Sequence, residues 1–188
     1  MGALRPFFVL GTGGAVPIFL LEVNPMRQKA RYLAHAAIIA ALYAVLTHMQ
    51  NILLPNSASM AIQLRLSESL CVLAYFTPAA LPGLTIGCMV FNLTSGAALP
   101  PDWIVGSLAT YLAVRSMRAL RSHPFWGLFM PALFNAVLVG LELSIYIGGG
   151  FWLNALYVAI GETVVLVVFG WGLYCTIRKR RLDTRLFG

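Results

Sequence analysis

The sequence predicts an all-α integral membrane protein: a bundle of six transmembrane helices with both termini in the cytoplasm. Three features carry that reading. Of the 188 residues, 60% are hydrophobic and only 10% are charged, with a mean hydropathy of +0.82. A soluble domain of this size needs far more charge to cover its surface. The apolar residues form six runs, each near the roughly 20 residues that cross a hydrocarbon core about 30 Å thick. Of the 13 Lys and Arg residues, all but Arg5 and Arg65 gather in three clusters between or beyond those runs.

Residues 1–25 stand apart. Pro6, Pro17 and Pro25, with Gly11, Gly13 and Gly14, interrupt their apolar stretch, which makes it a poor spanning helix. No small-x-small cleavage motif follows a basic start, so a secretory leader is a poor fit too. These residues are expected to be an extension outside the fold, with 26–188 a single six-helix membrane domain.

The first run covers 33–54 and stops at Pro55. The second covers 66–80 and the third 82–99, with Pro78 and Pro82 marking their tight connection. The fourth, 104–120, follows Pro100-Pro101-Asp102, and the fifth, 125–147, follows His123-Pro124. Gly148, Gly149 and Gly150 separate it from the sixth, 151–177. Six crossings place both ends and the 121–124 connection on one side. Arg27, Lys29 and Arg31, then Arg115, Arg118 and Arg121, then Arg178, Lys179, Arg180, Arg181 and Arg185 all fall on that side, as the positive-inside rule requires. The net charge of +7 thus lies in membrane flanks and not in a continuous stripe, which argues against nucleic acid as a partner.

Charged and amide side chains inside apolar runs need a reason, because a carboxylate near the bilayer centre costs about 2–3 kcal/mol or more. At about 1.5 Å per residue, Glu142 lies roughly 8 Å from the outer end of the fifth helix and Glu162 about 16 Å down the sixth. Asn92, Asn154 and Glu68 fall in the outer half, and Asn135 sits seven residues before Glu142 on the same helix face. The expected arrangement is a cup open to the outside. The plainer reading is interhelical glue, with Arg65 and Glu68 as an interfacial pair at i, i+3 and Trp152 as an aromatic-belt anchor.

On the first helix, Ala36, Ala40 and Ala44 form a small-residue ridge, doubled by Ala37 and Ala41. It suits close approach of another helix, a partner's or a neighbour's. Cys71, Cys88 and Cys175 lack metal or redox spacing and read as packing residues; His35 and His48 lack ligand partners at metal spacing. No phosphate-binding loop, nucleophile elbow or His-Glu-x-x-His motif occurs. The chain is therefore expected to be no enzyme, with no cofactor and no metal, and to borrow energy for any active transport.

Several stretches together resemble the queuosine-precursor transporter family. They are Gln63-Leu-Arg-Leu-Ser-Glu68, Phe76-Thr-Pro-Ala-Ala-Leu-Pro-Gly-Leu84, Asn92-Leu-Thr-Ser-Gly96, Gly106-Ser-Leu-Ala-Thr110, Asn135-Ala-Val-Leu-Val-Gly-Leu-Glu142 and Phe151-Trp-Leu-Asn-Ala155 with Gly161-Glu162. Each piece is short, but their combination over about 30–175 is specific. The resemblance implies a substrate-binding S component of an energy-coupling-factor importer in a bacterial cell membrane. Its small-molecule substrate would be a deazaguanine-type base, and its partners a membrane coupling subunit and two cytoplasmic ATPases. It implies that the Ala36, Ala40 and Ala44 ridge meets the coupling subunit and that 55–65 covers the site. A guanine-like edge offers two adjacent N–H donors that one carboxylate accepts together. Glu142 or Glu162 is expected to hold that edge, with Glu68 nearer the mouth. Asn92, Asn135 and Asn154 would address the remaining polar atoms, and Trp152 or Tyr146 would stack on the ring. An S component for a vitamin or other heterocycle, an intramembrane enzyme using two glutamates, and an assembly factor remain as alternatives.

Overall fold

The computed structural model describes residues 7–11, 14–18, 25–55, 57, 64–96, 98, 99 and 101–187. The chain divides into two compact units, Met1–Ala34 and His35–Gly188. In the first, strands β1 (Phe7–Gly11) and β2 (Gly14–Ile18) pair antiparallel, with Phe7 opposite Ile18 and Gly11 opposite Gly14. The prolines and glycines that disfavour a spanning helix here thus accompany a short hairpin.

The second unit is helical. Helix α1 (Pro25–Leu53) enters it, followed by a 3-10 helix, Leu66–Tyr75. Then come α2 (Ala80–Thr94), α3 (Asp102–Ala119), the short α4 (Pro124–Gly127) and α5 (Met130–Tyr146). Helix α6 (Phe151–Val165) passes through one π-helical stretch, Leu166–Gly170, into α7 (Trp171–Lys179), and α8 (Leu182–Phe187) follows. Among the described residues, three helical stretches are long and apolar enough to cross a membrane: Met26–Leu53, Pro124–Tyr146 and Phe151–Lys179. The 3-10 helix and α2 are apolar but shorter.

The run expected to form a second spanning helix over 66–80 is therefore wound differently. Its ten residues rise about 2.0 Å each, giving roughly 20 Å with three residues per turn. That winding eclipses every third side chain, so Glu68, Cys71 and Ala74 share one buried face.

The outward surface is apolar. Ile38, Leu42, Val45 and Met49 on α1, Leu133, Val137 and Leu141 on α5, and Leu156, Ile160 and Val164 on α6 are all exposed. Large apolar exposure on helix after helix fits hydrocarbon as solvent. Inward, Ile39, Tyr43, Val72, Leu84, Val114, Met117, Leu128 and Leu166 form one core.

Small residues set the helix spacing, because in lipid the contact itself must hold helices together. Gly83 and Gly87 of α2 lie against α1. A Cβ on Gly83 would come within 2.8 Å of the Ala36 carbonyl oxygen, and one on Gly87 within 2.8 Å of that of Ala40. The ridge expected to await a partner is thus occupied from within the chain: Ala36 and Ala44 are buried, and Ala40 is half-buried against Gly87. Ala37 and Ala41 point outward. Gly140 makes the matching approach between α5 and α6, where a Cβ would meet the Ala155 Cα at 2.8 Å.

Gly87→Leu should therefore destabilise the detergent-solubilised protein by about 1–3 kcal/mol, the cost of overpacking. Gly172→Ala, where an added Cβ meets nothing within 4 Å, should be neutral or slightly stabilising. Thermal melts of the two variants check both expectations.

Candidate functional site

Polar side chains that the bundle withdraws from lipid converge from five helical segments. Helix α1 contributes Tyr43, Thr47 and Gln50, spaced i, i+4, i+7 along one face and all buried. The segment entering the 3-10 helix contributes Arg65, Ser67 and Glu68, also buried. Helices α2, α5 and α6 add Asn92, Asn135 with Glu142, and Glu162.

Gln50 fastens the segment that carries Arg65. Its amide nitrogen donates to the Ser57 hydroxyl at 2.9 Å and to the Leu64 carbonyl. Its amide oxygen accepts the Leu66 N–H at 2.7 Å. Thr47 donates to Ser67 Oγ at 2.7 Å. The ends of the connection are thereby tied to α1. Most of the expected cover over 55–65 lies outside the described residues.

Arg65 is only 5% exposed. Its guanidinium stands 5.5 Å from the centre of the Phe91 ring, within cation–π range, and its Nη1 is 3.7 Å from Cys88 Sγ. Its charge acts on three carboxyl groups, those of Glu68, Glu162 and Glu142. Glu68 is fully buried and satisfied locally: Tyr43 donates to its Oε1 at 2.5 Å, and the Cys71 thiol lies 3.1 Å from its Oε2. Glu162, on α6, accepts the Asn135 amide on Oε1 at 3.2 Å, while its Oε2 is buried without a hydrogen-bond partner among the described residues. Glu68 and Glu162 feel one another's charge.

Glu142 occupies a neighbouring position. It is 4% exposed, neither carboxyl oxygen has a hydrogen-bond partner within bonding distance among the described residues, and it lines a pocket of about 170 Å³ with Pro101, Val105, Leu138, Leu141, Ile145 and Tyr146. Asp102 is close enough to interact with it. Buried polar atoms are ordinarily satisfied, so three open carboxylate oxygens on two helices mark where donors are missing.

The other expected site residues have local employment. Asn92 donates to the Asp102 carbonyl at 2.9 Å, fixing the start of α3. Asn154 donates to the Gly148 carbonyl at 3.0 Å, holding the turn whose Gly148 and Gly149 adopt positive φ of 93° and 81°. Trp152 is 82% exposed, with its ring 5.0 Å from that of Phe151. The structure thus brings Glu68, Asn135 and Glu162 to one centre around Arg65 and sets Glu142 beside it. It leaves Trp152 on the outer surface.

Sequence reasoning missed Tyr43, Thr47 and Gln50 as site residues, although their polar stripe on an otherwise apolar helix is visible. It treated Cys71 and Cys88 as packing alone, whereas both also touch charged groups.

This architecture is that of a multi-pass membrane protein with a buried, carboxylate-rich polar centre. Residues 33–179 match the QueT transporter family, and the chain belongs to that family. It is 30% identical over 158 residues to the queuosine precursor transporter QueT of Lactococcus lactis subsp. cremoris (strain MG1363), an alignment covering 76% of this chain and 89% of that protein. No solved structure matches.

Replacing Gln50 by Leu strands a buried N–H and a carbonyl, at about 1–3 kcal/mol for each lost partner. The expected result is a lower melting temperature of the detergent-purified protein.

Proposed function

We propose that the chain is the substrate-binding S component of an ATP-driven energy-coupling-factor importer, capturing a queuosine precursor of the 7-deazaguanine type from outside a bacterial cell. The observation that carries this reading is the set of open carboxylate oxygens on Glu162 and Glu142 beside one guanidinium. Buried carboxyl oxygens without hydrogen-bond partners among the described residues, set beside one cation, leave a deficit of donors. A base edge with two adjacent N–H groups and a cationic substituent supply them. The name of the Lactococcus relative supports the same substrate class.

In this proposal Glu162 holds the base edge with Asn135 beside it, Glu142 receives the substituent, and Arg65 with Glu68 frames the centre. The polypeptide crosses the membrane six times with its basic clusters inside, the 3-10 helix and α2 serving as short crossings. Energy comes from a membrane coupling subunit and two ATPases, in keeping with a sequence that lacks a phosphate-binding loop. Because α2 occupies the Ala36 and Ala40 side of α1, the coupling subunit is assigned to the exposed Ala37 and Ala41 side. Asn92 and Asn154 act as supports of the site, and Trp152 stays outside the ligand contact.

Calorimetric titration with 7-deazaguanines, and with vitamins as the competing class, tests the binding claim. Glu162→Gln should weaken base binding at least about tenfold, in line with a charge-assisted hydrogen bond. Trp152→Phe should leave it unchanged. Wild-type affinity in both Glu162→Gln and Glu142→Gln, or saturable binding of a vitamin alone, would reject the assignment. Ala41→Trp should spare ligand binding and abolish co-purification with the coupling subunits.

A further inference from the structure

Away from the buried centre, a second cavity of about 440 Å³ opens at the basic end of the helical unit, between the 3-10 helix, the α3–α4 connection, α7 and α8. We propose that this cleft binds the headgroup of an anionic phospholipid. Two guanidiniums line it, Arg121 from the α3–α4 connection and Arg178 from α7. Neither makes a hydrogen bond or ion pair among the described residues. Asp183 lines the same cleft, so its fixed charge is one carboxylate against two guanidiniums, a net attraction for an anion. The Ser122 hydroxyl supplies a further donor at the wall.

The aromatic side of the cleft is built before any ligand arrives. Tyr75 donates to the Pro124 carbonyl at 2.8 Å. Tyr174 packs edge-on against Tyr75 at 5.7 Å and lies 5.5 Å from the Phe76 ring. Trp171 stacks on Tyr174 at 5.2 Å, so the wall cannot collapse into the cavity without breaking this stack.

What favours a lipid over a free anion is the apolar surface beside the cleft. Immediately after Pro124, Phe125 and Trp126 are 47% and 66% exposed, an arrangement suited to acyl chains at the membrane interface. An amphiphile satisfies both halves: phosphate on the arginines, chains along the aromatic rim. Basic pockets between helices at this level are suited to anionic headgroups, with each Arg near the surface worth about fivefold in affinity.

Native mass spectrometry of the detergent-purified protein, titrated with phosphatidylglycerol, phosphatidylcholine or inorganic phosphate, tests the assignment. The wild type should retain phosphatidylglycerol more than about tenfold better than phosphatidylcholine. Arg121→Gln with Arg178→Gln should lower phosphatidylglycerol affinity about 25-fold. Lys179→Gln with Arg180→Gln removes equal charge outside the cleft and should lower it by less than about fivefold. Arg121→Lys with Arg178→Lys keeps the charge and should keep the lipid preference, which separates loss of the site from loss of the fold. Equal losses in the cleft and control pairs would overturn the proposal in favour of diffuse attraction. Equal retention of the two lipids, or displacement of phosphatidylglycerol by millimolar inorganic phosphate, would overturn it as well.

Discussion

One buried guanidinium, that of Arg65, holds this structure's chemistry together. A charge withdrawn into a helical bundle surrounded by hydrocarbon is stable only with compensation close at hand. Here the compensation comes from different segments: Glu68 three residues along the chain, Glu162 on α6, Glu142 on α5, and the Phe91 face on α2. The same guanidinium therefore ties together segments far apart in sequence, with Glu68 and Glu162 close to one another and Glu142 beside Asp102. Removing it would take away the cation that these buried carboxyl groups share, a destabilising change by the usual cost of breaking a buried charge pair.

The fold serves that constraint in two ways. Glycines opposite alanines let α1 and α2, and α5 and α6, approach until backbone nearly meets backbone, so close van der Waals contact fixes much of the frame. Within that frame the 3-10 winding of Leu66–Tyr75 repeats every three residues. Glu68 and Cys71 consequently meet on one face, and the Tyr43 hydroxyl closes the other side of the carboxylate. The outcome is asymmetric: Glu68 has both oxygens occupied, while Glu162 and Glu142 retain open ones. The proposed function assigns Glu68 to the frame of the site and Glu162 and Glu142 to the guest on the strength of this asymmetry.

Much of the helical body could be read directly from the chain. Apolar runs near spanning length locate α1, α5 and the α6–α7 helix, because hydrocarbon thickness imposes length and composition together. Acids within such runs mark Glu142 and Glu162 as buried, since exposure to lipid is so unfavourable. Winding was not legible: 66–80 has the composition of an α-helix, and the choice of a 3-10 helix over Leu66–Tyr75 depends on contacts with Tyr43 and Gln50 formed only in the folded bundle. The direction of the alanine ridge was equally hidden. Ala36 and Ala37 differ by one position, and only the glycines of α2 determine which of the two faces inward. Arg65 looked like a surface ion pair because periodicity gives spacing along a helix and not depth within a bundle.

The proposed function gives the family's transport role a concrete physical basis, in which a guest supplies the donors that the open carboxyl oxygens of Glu162 and Glu142 lack. Isotope-edited infrared difference spectroscopy of the glutamate carboxyl stretches, recorded as a 7-deazaguanine base is added, tests this most directly. The account predicts a saturable change in a carboxyl band that disappears when Glu162 is replaced by Gln. Saturable ligand binding with every glutamate band unmoved would contradict it.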